Sequence, residues 1–354
     1  MNNSAITENY NSEVYEAPEE QKVHLDIFED TNLFKKERAT RSKREKMIKN
    51  DIKGWLFASW PFIGYCIFAL VPFALSIYLS MCDLHVWDIS NATWVGFDNF
   101  IFLLFSSKSQ FWWSLLQTLY YFISLPIGIV LGLGSAVLLT SRIKMKKLFR
   151  TILYIPNVCS VVGVTMMWQV VFDYQSGLVN TLIEGLGGTR INWFNTPSLF
   201  MPLVIFTTTW SAGSGSLLFQ AALEQVNQSL IEAAEIDGAN KREIFFNVTL
   251  PAISPTTFYV LTMNTIGALQ AMATIQLFSQ AGSTSGYGPA FTEGPFAGKY
   301  AGMTTVYYVY MMGIGGGPEG SGKSSAAAWL LALFILAITR LNFKAGDSWV
   351  SYDN

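Results

Sequence analysis

Ile231-Glu-Ala-Ala-Glu-Ile-Asp-Gly-Ala-Asn-Lys-Arg-Glu-Ile-Phe-Phe-Asn-Val-Thr-Leu-Pro251 is a polar loop between two apolar runs, and its residues spell two short helices. Asn227 is placed to cap the first, the Glu232–Ala234 turn continues it, and Gly238 supplies a left-handed end. Asn240 followed by Glu243 three positions on is a capping box for the second. Pro251 and Pro255 are expected to end that helix and open the next apolar segment. Ala233, Ala234, Gly238 and Ala239 keep one surface low enough for another backbone to come close. Glu232, Glu235 and Asp237 make that surface acidic, and Phe245 and Phe246 offer an apolar anchor.

The runs on either side are 199–222 and 253–280, and four others follow the same pattern at 55–81, 111–139, 151–172 and 325–343. A helix needs roughly 20 apolar residues to cross the hydrocarbon core of a bilayer. The 354 residues are 51% hydrophobic and only 14% charged, well under the roughly 25% charge of a soluble domain. Mean hydropathy is +0.32. The fold class predicted is an all-α integral membrane protein with about six transmembrane helices, the last of them the shortest, and the 231–251 loop projecting from one side. Pro61, Pro72, Pro126, Pro156 and Pro202 are tolerable in such spans because neighbouring helices satisfy the freed backbone groups. The polar 1–54 stretch has no early apolar core and does not read as a signal peptide. Cys66, Cys82 and Cys159 have no CxxC spacing, and His24 and His85 are far apart, which argues against a disulfide framework or a zinc centre.

Basic residues orient the spans. With the N-terminus inside, nineteen of the 23 Lys and Arg fall on the cytoplasmic side, and only Lys108, Arg190, Lys299 and Lys323 fall outside. The 231–251 loop is then cytoplasmic. Apart from Arg340 at the edge of the last span, no charged residue or histidine lies within the six runs. Ion-coupled transporters usually carry such groups in mid-membrane. A transport role here therefore points to an energy source outside this chain.

The loop resembles the signature of the inner-membrane permease subunits of binding-protein-dependent ABC importers: EAA, three residues, Gly, nine residues, an aliphatic, one residue, Leu-Pro. Glu232-Ala233-Ala234, Gly238, Val248 and Leu250-Pro251 stand at that spacing, and Asp237 and Ala239 match the extended sugar-permease form. The similarity runs from about Trp55 to Phe343. It includes Val95-Gly96-Phe97-Asp98-Asn99-Phe100, then Arg150, Pro156, Trp168, Gly177 and Asn180, then Trp193, Pro197 and Trp210, a set typical of the maltose-type carbohydrate subgroup. The resemblance implies a cytoplasmic tail at 1–54, a permease domain at 55–343 with its core at 111–343, and a short cytoplasmic tail at 344–354. It implies a multi-pass protein of the bacterial cytoplasmic membrane, non-catalytic, in contact with membrane lipid. Its partners would be a second permease subunit, two ATP-binding subunits and an extracytoplasmic solute-binding protein, with no nucleic acid. ATP and magnesium would be bound by the partner ATPases, whose cleft receives the 231–251 loop as a coupling helix. The sequence departs from the family pattern at Val226-Asn227, where Ile-Pro is usual, and in the enlarged glycine-rich stretches 281–303 and 313–322.

By analogy with maltose-type members, the substrate pathway would run along one face of the fifth span, Asn264, Gly267, Ala268 and Ala271, with Gln270 and Trp210 nearby. Small and polar residues at these places equally suit helix–helix packing. A wide face of small residues suggests a bulky glycan; a polyol phosphate is the alternative solute, and a self-sufficient secondary transporter the alternative class. Residues 317–324, Gly-Pro-Glu-Gly-Ser-Gly-Lys-Ser, match the phosphate-loop pattern GxxxxGK[ST] behind a β-prone Thr304–Met312 stretch, with Ser324 opening a helix. A nucleotide hydrolase is the enzyme alternative. Its external placement, the membrane span that follows and the absence of an apolar strand ending in a magnesium-binding Asp oppose it. A reporter fused after Asn354 is expected to be cytoplasmic and one inserted near Ser285 external; an external C-terminus would mean that a span has been miscounted.

Overall fold

Backbone N–H and C=O groups in hydrocarbon have no water to bind, so a chain of this composition satisfies them inside helices. The computed structural model describes residues 47, 51–84, 92–141, 144–211, 213–282, 286–314 and 320–351. His24, His85, nearly all of the N-terminal tail and residues 317–319 lie outside the described residues. These fall into two units, Met1–Ala74 and Leu75–Asn354. Helix α1 (Asp51–Ser80) begins in the first, takes a π turn at Cys66–Leu70 and continues into the second. Among the described residues the only sheet is the two-stranded pair β1 (Cys82–Asp83) and β2 (Thr93–Trp94).

The helices that follow are α2 (Asp98–Phe105), α3 (Phe111–Tyr121), α4 (Ser124–Thr140), α5 (Lys146–Val158), α6 (Val161–Val171), α7 (Leu178–Gly185) and α8 (Pro197–Thr209). After them come α9 (Gly213–Gln225), α10 (Gln228–Ile236), α11 (Lys241–Ala252), α12 (Ser254–Leu269), α13 (Ala273–Gly282), α14 (Thr305–Gly313) and α15 (Gly320–Gly346). Among the described residues three stretches are long and apolar enough to cross a membrane, α1, α3 with α4, and α15, or five when each bent pair counts as one span. The all-α membrane architecture stands, but several spans are not the straight rods that hydropathy predicts. The 151–172 run is bent by 102° between α5 and α6, and α11 and α12 meet at 68°. The 199–222 run is divided between α8 and α9. Thr207, Thr208 and Thr209 each donate a hydroxyl to a carbonyl three or four residues back, a bonding mode that weakens a helix end. The last span, expected to be the shortest, runs 27 residues.

Small residues let α4 and α9 lie close together. Gly132 and Ala136 sit one turn apart on the buried face of α4, and Ala136 packs with Phe219, Ile253 and Val260. A second cluster joins Phe200, Phe278 and Tyr307, and a third brings Trp113, Tyr308 and Ala326 together. Residues 286–303 of the enlarged outer loop build a hairpin, with Phe291 N–H on the Lys299 carbonyl and Ala290 bridging Tyr300. Its base is pinned by the Trp113 indole, which donates to the Tyr300 carbonyl at 2.9 Å and stacks edge-on against Phe291.

Two further matching segments are clamps. Asn99 is buried, and its amide donates to the carbonyls of Ser80 and Cys82, tying α2 to the end of α1. Asn180 donates to the Ile191 carbonyl and accepts from the Ile191 N–H and the Trp193 indole, closing the loop after α7. Beside it, the Asp173 carboxylate takes N–H groups from Ser176 and Gln175, which hold it below the usual aspartate range.

The phosphate-loop look-alike is built differently from the sequence expectation. Thr305–Gly313 is helical rather than a strand, and α15 opens at Gly320, four residues before Ser324, so the GSGKS residues are helix rather than a cradle. Gly322 lies against β1, its N–H on the Leu84 carbonyl, and an added Cβ would run into the Cys82 carbonyl oxygen. Lys323 places its ammonium 4.8 Å from the centre of the Phe102 ring, and the Ser324 hydroxyl donates to Val309 at 2.7 Å. The glycine serves close packing, and the two side chains a nucleotide would need are engaged by the protein. Gly322→Ala is therefore expected to destabilise by about 1–3 kcal/mol through overpacking, read as a lower unfolding temperature in detergent.

Candidate functional site

The 231–251 loop closes its own hydrogen bonds. The Asn227 side chain accepts the Ser229 N–H at 3.0 Å at the start of α10. At the other end the N–H groups of Gly238 and Ala239 return to the carbonyls of Glu235 and Ala234, with Gly238 left-handed at φ 83°, which is a complete Schellman motif. The Asn240 side chain then takes the N–H groups of Arg242 and Glu243, while the Glu243 carboxylate takes the Asn240 N–H at 2.8 Å. Both predicted helices and all three predicted caps are therefore present. A Cβ on Gly238 would meet nothing within 4 Å, so only the backbone conformation demands glycine there.

Glu232, Ala233, Asp237 and Gly238 are exposed, with Ala234 and Ala239 half-buried behind them. Ile236 is 86% exposed among these acids, an apolar point that the sequence reading missed. Its signal was an isoleucine on a helix with no apolar partner at the usual spacing. Pro251 does not end the second helix as expected. A π turn over Phe245–Thr249, with the Leu250 N–H on the Phe245 carbonyl, widens the coil, and α11 runs through the proline to Ala252. The break comes at Ile253, and Pro255 opens α12. Leu250 packs against the Phe219–Val260 cluster, so the loop is seated directly on the helices of the membrane domain.

Two neighbouring cavities share part of their walls, and Phe219 and Val260 of that cluster line the larger. One of about 300 Å³ is lined by Tyr121, Ser124, Thr208, Asn264, Gly267 and Ala268 among others. A second, about 180 Å³, includes Asn157, Thr165 and Trp168, and the two share Thr208, Ser211 and Thr274. Most of the polar contributors stand beside an interruption in a helix, while Asn264 and Thr165 project from within α12 and α6. Tyr121 and Ser124 flank the turn between α3 and α4, Asn157 precedes the α5–α6 bend, Thr208 and Ser211 border the α8–α9 break, and Thr274 follows the α12–α13 break. Among the described residues no lining residue of either cavity is charged. The lining is thus hydroxyl and amide set among apolar walls, suited to hydrogen-bonding an uncharged polar solute.

The residues predicted for a substrate pathway divide. Asn264, Gly267 and Ala268 line the larger cavity together. Ala271 does not share their face, because α12 ends at Leu269 and the offset of seven no longer holds; its carbonyl faces Thr304 instead. Gln270 is exposed at the helix end. Trp210 lines a separate apolar groove and stacks edge-on with Trp168 at 5.5 Å. Thr265, one of the interior polar residues of the fifth run, accepts from Asn342 of α15 and serves as interhelical bonding. Tyr121, Ser124, Thr208 and Thr274 were missed, since their only mark in sequence is nearness to a break that hydropathy does not show.

Residues 124–343 match the family described as the binding-protein-dependent transport system inner membrane component. The chain is 30% identical over 321 residues to the probable ABC transporter permease protein YesP of Bacillus subtilis strain 168, covering 89% of this chain and 97% of that one. It is 32% identical over 267 residues to the arabinooligosaccharides transport system permease protein AraP of Halalkalibacterium halodurans, covering 73% and 79%. Its fold is similar to a chain in the crystal structure of a bacterial alginate ABC transporter in complex with an alginate pentasaccharide-bound periplasmic protein. There the TM-score is 0.67, the identity 24%, and the coverage 84% of this chain and 94% of that one.

Proposed function

The chain belongs to the inner membrane components of binding-protein-dependent transport systems, and from that premise we propose that it is the pore-forming half of an oligosaccharide importer. The neutral, hydroxyl-lined cavity at the helix interruptions carries this reading. A neutral saccharide presents many hydroxyls and no charge, and a site with donors and acceptors but no cation among the described residues matches it better than it matches a polyol phosphate. Arabinooligosaccharide transport by a similar permease supports a neutral glycan of several units.

In this reading the chain is not itself a catalyst. A solute-binding protein delivers substrate on the outside. A second permease subunit completes the pore, and two partner subunits bind ATP with magnesium on the cytoplasmic side, where both termini also lie. The acidic knob formed by Glu232, Ala233, Ala234, Asp237, Gly238 and Ala239 docks in the ATPase. Closure of the ATPase pair moves α10 and α11 as one body, and Leu250-Pro251 passes the displacement to the Phe219–Val260 cluster, which forms part of the cavity wall. Alternating access follows from reorientation of the broken helices around the site.

Gly238→Val separates strain from contact. A β-branched residue held left-handed loses at least about 1–2 kcal/mol, whereas Asn tolerates that conformation. Solute-stimulated ATP hydrolysis by the assembled importer is expected to fall about tenfold or more in Gly238→Val and to persist in Gly238→Asn, with both variants reaching the membrane. Equal activity in all three would remove the coupling role. For the pathway, Ala268→Trp fills the larger cavity and is expected to abolish uptake of long oligosaccharides before short ones. Unchanged uptake at every length would show that solute passes elsewhere.

A further inference from the structure

The apolar groove that holds Trp210 is distinct from the solute cavity in chemistry. It measures about 910 Å³ and is walled by Leu131 and Leu138 of α4, Leu153 of α5, Trp168, Trp210 and Phe245. The hydroxyls on its wall, Ser135 and Thr209, donate to carbonyls of their own helices, and the remaining walls are almost wholly aliphatic and aromatic. A groove of this kind takes hydrocarbon.

Cations precede its wall residues, at helical spacing, on two of the helices that form it. Lys146 and Arg150 lie seven and three residues before Leu153, so all three share one stripe of α5. Lys241 lies one helical turn before Phe245 on α11, in the same relation to the groove. Among the described residues the one ion pair is that of Arg190 with Glu184, far along the chain, so none of these three cations is neutralised by a carboxylate. Glu243 accepts the Asn240 N–H and Glu224 the Gln220 amide, and neither forms an ion pair with these cations. Helix α5 is also unusually bare. Of its thirteen residues only Pro156 is buried, while Phe149, Ile152 and Ile155 are about half exposed or more.

We propose that this groove is a binding site for one anionic phospholipid, with an acyl chain against Trp168 and Trp210 and the phosphate head held by Lys146, Arg150 and Lys241. Apolar volume ending in uncompensated positive charge matches an anionic amphiphile on both counts. A neutral lipid satisfies only the first, and a helix of another subunit would leave the cations without partners.

Native mass spectrometry of the full chain in its importer complex tests the site, after incubation with equal amounts of dioleoyl-phosphatidylglycerol and dioleoyl-phosphatidylcholine. Wild type is expected to retain phosphatidylglycerol preferentially. The double variant Lys146→Gln/Arg150→Gln should lose that preference by about 25-fold, since each nearby cation contributes about fivefold. A Cβ on Gly134, which lines the groove, meets nothing within 4 Å, so Gly134→Trp fills the volume without disturbing packing and should abolish retention. A photoactivatable phosphatidylglycerol with a diazirine in its acyl chain provides a check on wild type alone, independent of any variant's folding. Its label should fall on the Leu131–Leu138 and Trp168 peptides. Equal retention of both lipids, an unchanged preference in the double variant, retention in Gly134→Trp, or label confined to other peptides would each overturn the proposal. So would capture of a second subunit by a cross-linker placed at Leu138→Cys in place of lipid.

Discussion

A helix interrupted in hydrocarbon leaves carbonyl and N–H groups that no solvent will take, and this restriction governs where the chain can bend. Besides the bend at Ile253, interruptions follow Tyr121, Val158, Thr209 and Leu269 in the described membrane helices, and these four come to the same pair of neighbouring cavities. Gathering them is what makes them tolerable, because each break then faces a shared polar lining instead of lipid. The residues that produce the breaks are also the residues that supply the lining. Thr208 donates to carbonyls one turn back, which loosens the end of α8, and the same side chain lies on the wall of both cavities. The irregular backbone and the proposed solute site are therefore one feature.

The cytoplasmic loop faces the opposite problem, since it must keep a definite shape in water without a core of its own. It does so with caps: two asparagines, a left-handed glycine and a glutamate between them close every helix end from Asn227 to Glu243. The π turn at Phe245–Thr249 then lets the helix carry Leu250 into the packed cluster despite Pro251. A rigid knob joined through a continuous helix to the cavity wall is a mechanical connection, made of packing rather than of charge.

How far the sequence could be read follows the range of the interactions involved. The caps of the loop were legible to the residue, because a cap depends on neighbours within six positions, whereas the π turn that carries α11 through Pro251 was not. The membrane class was legible because hydrocarbon selects on composition. The breaks were not, since a 20-residue apolar run looks the same whether it is straight or bent by 102°, as the 151–172 run is. Ala271 was placed on the wrong face for that reason: the assumption of a continuous helix past Leu269 carried the periodicity too far. The 317–324 motif misled at the level of secondary structure, where β-prone residues at 304–312 are helical because they pack across α3 and α15. Asn264, Gly267 and Ala268 do line one cavity together, because their spacing stays within one unbroken helix.

Because α10 and the start of α11 obtain their shape from their own side chains, that shape is indifferent to what the remainder of the chain does. Substitutions that widen a cavity, retune a lining or lengthen an outer hairpin such as 286–303 leave the caps untouched. The shape of the loop is thus free to stay constant while the rest of the chain changes.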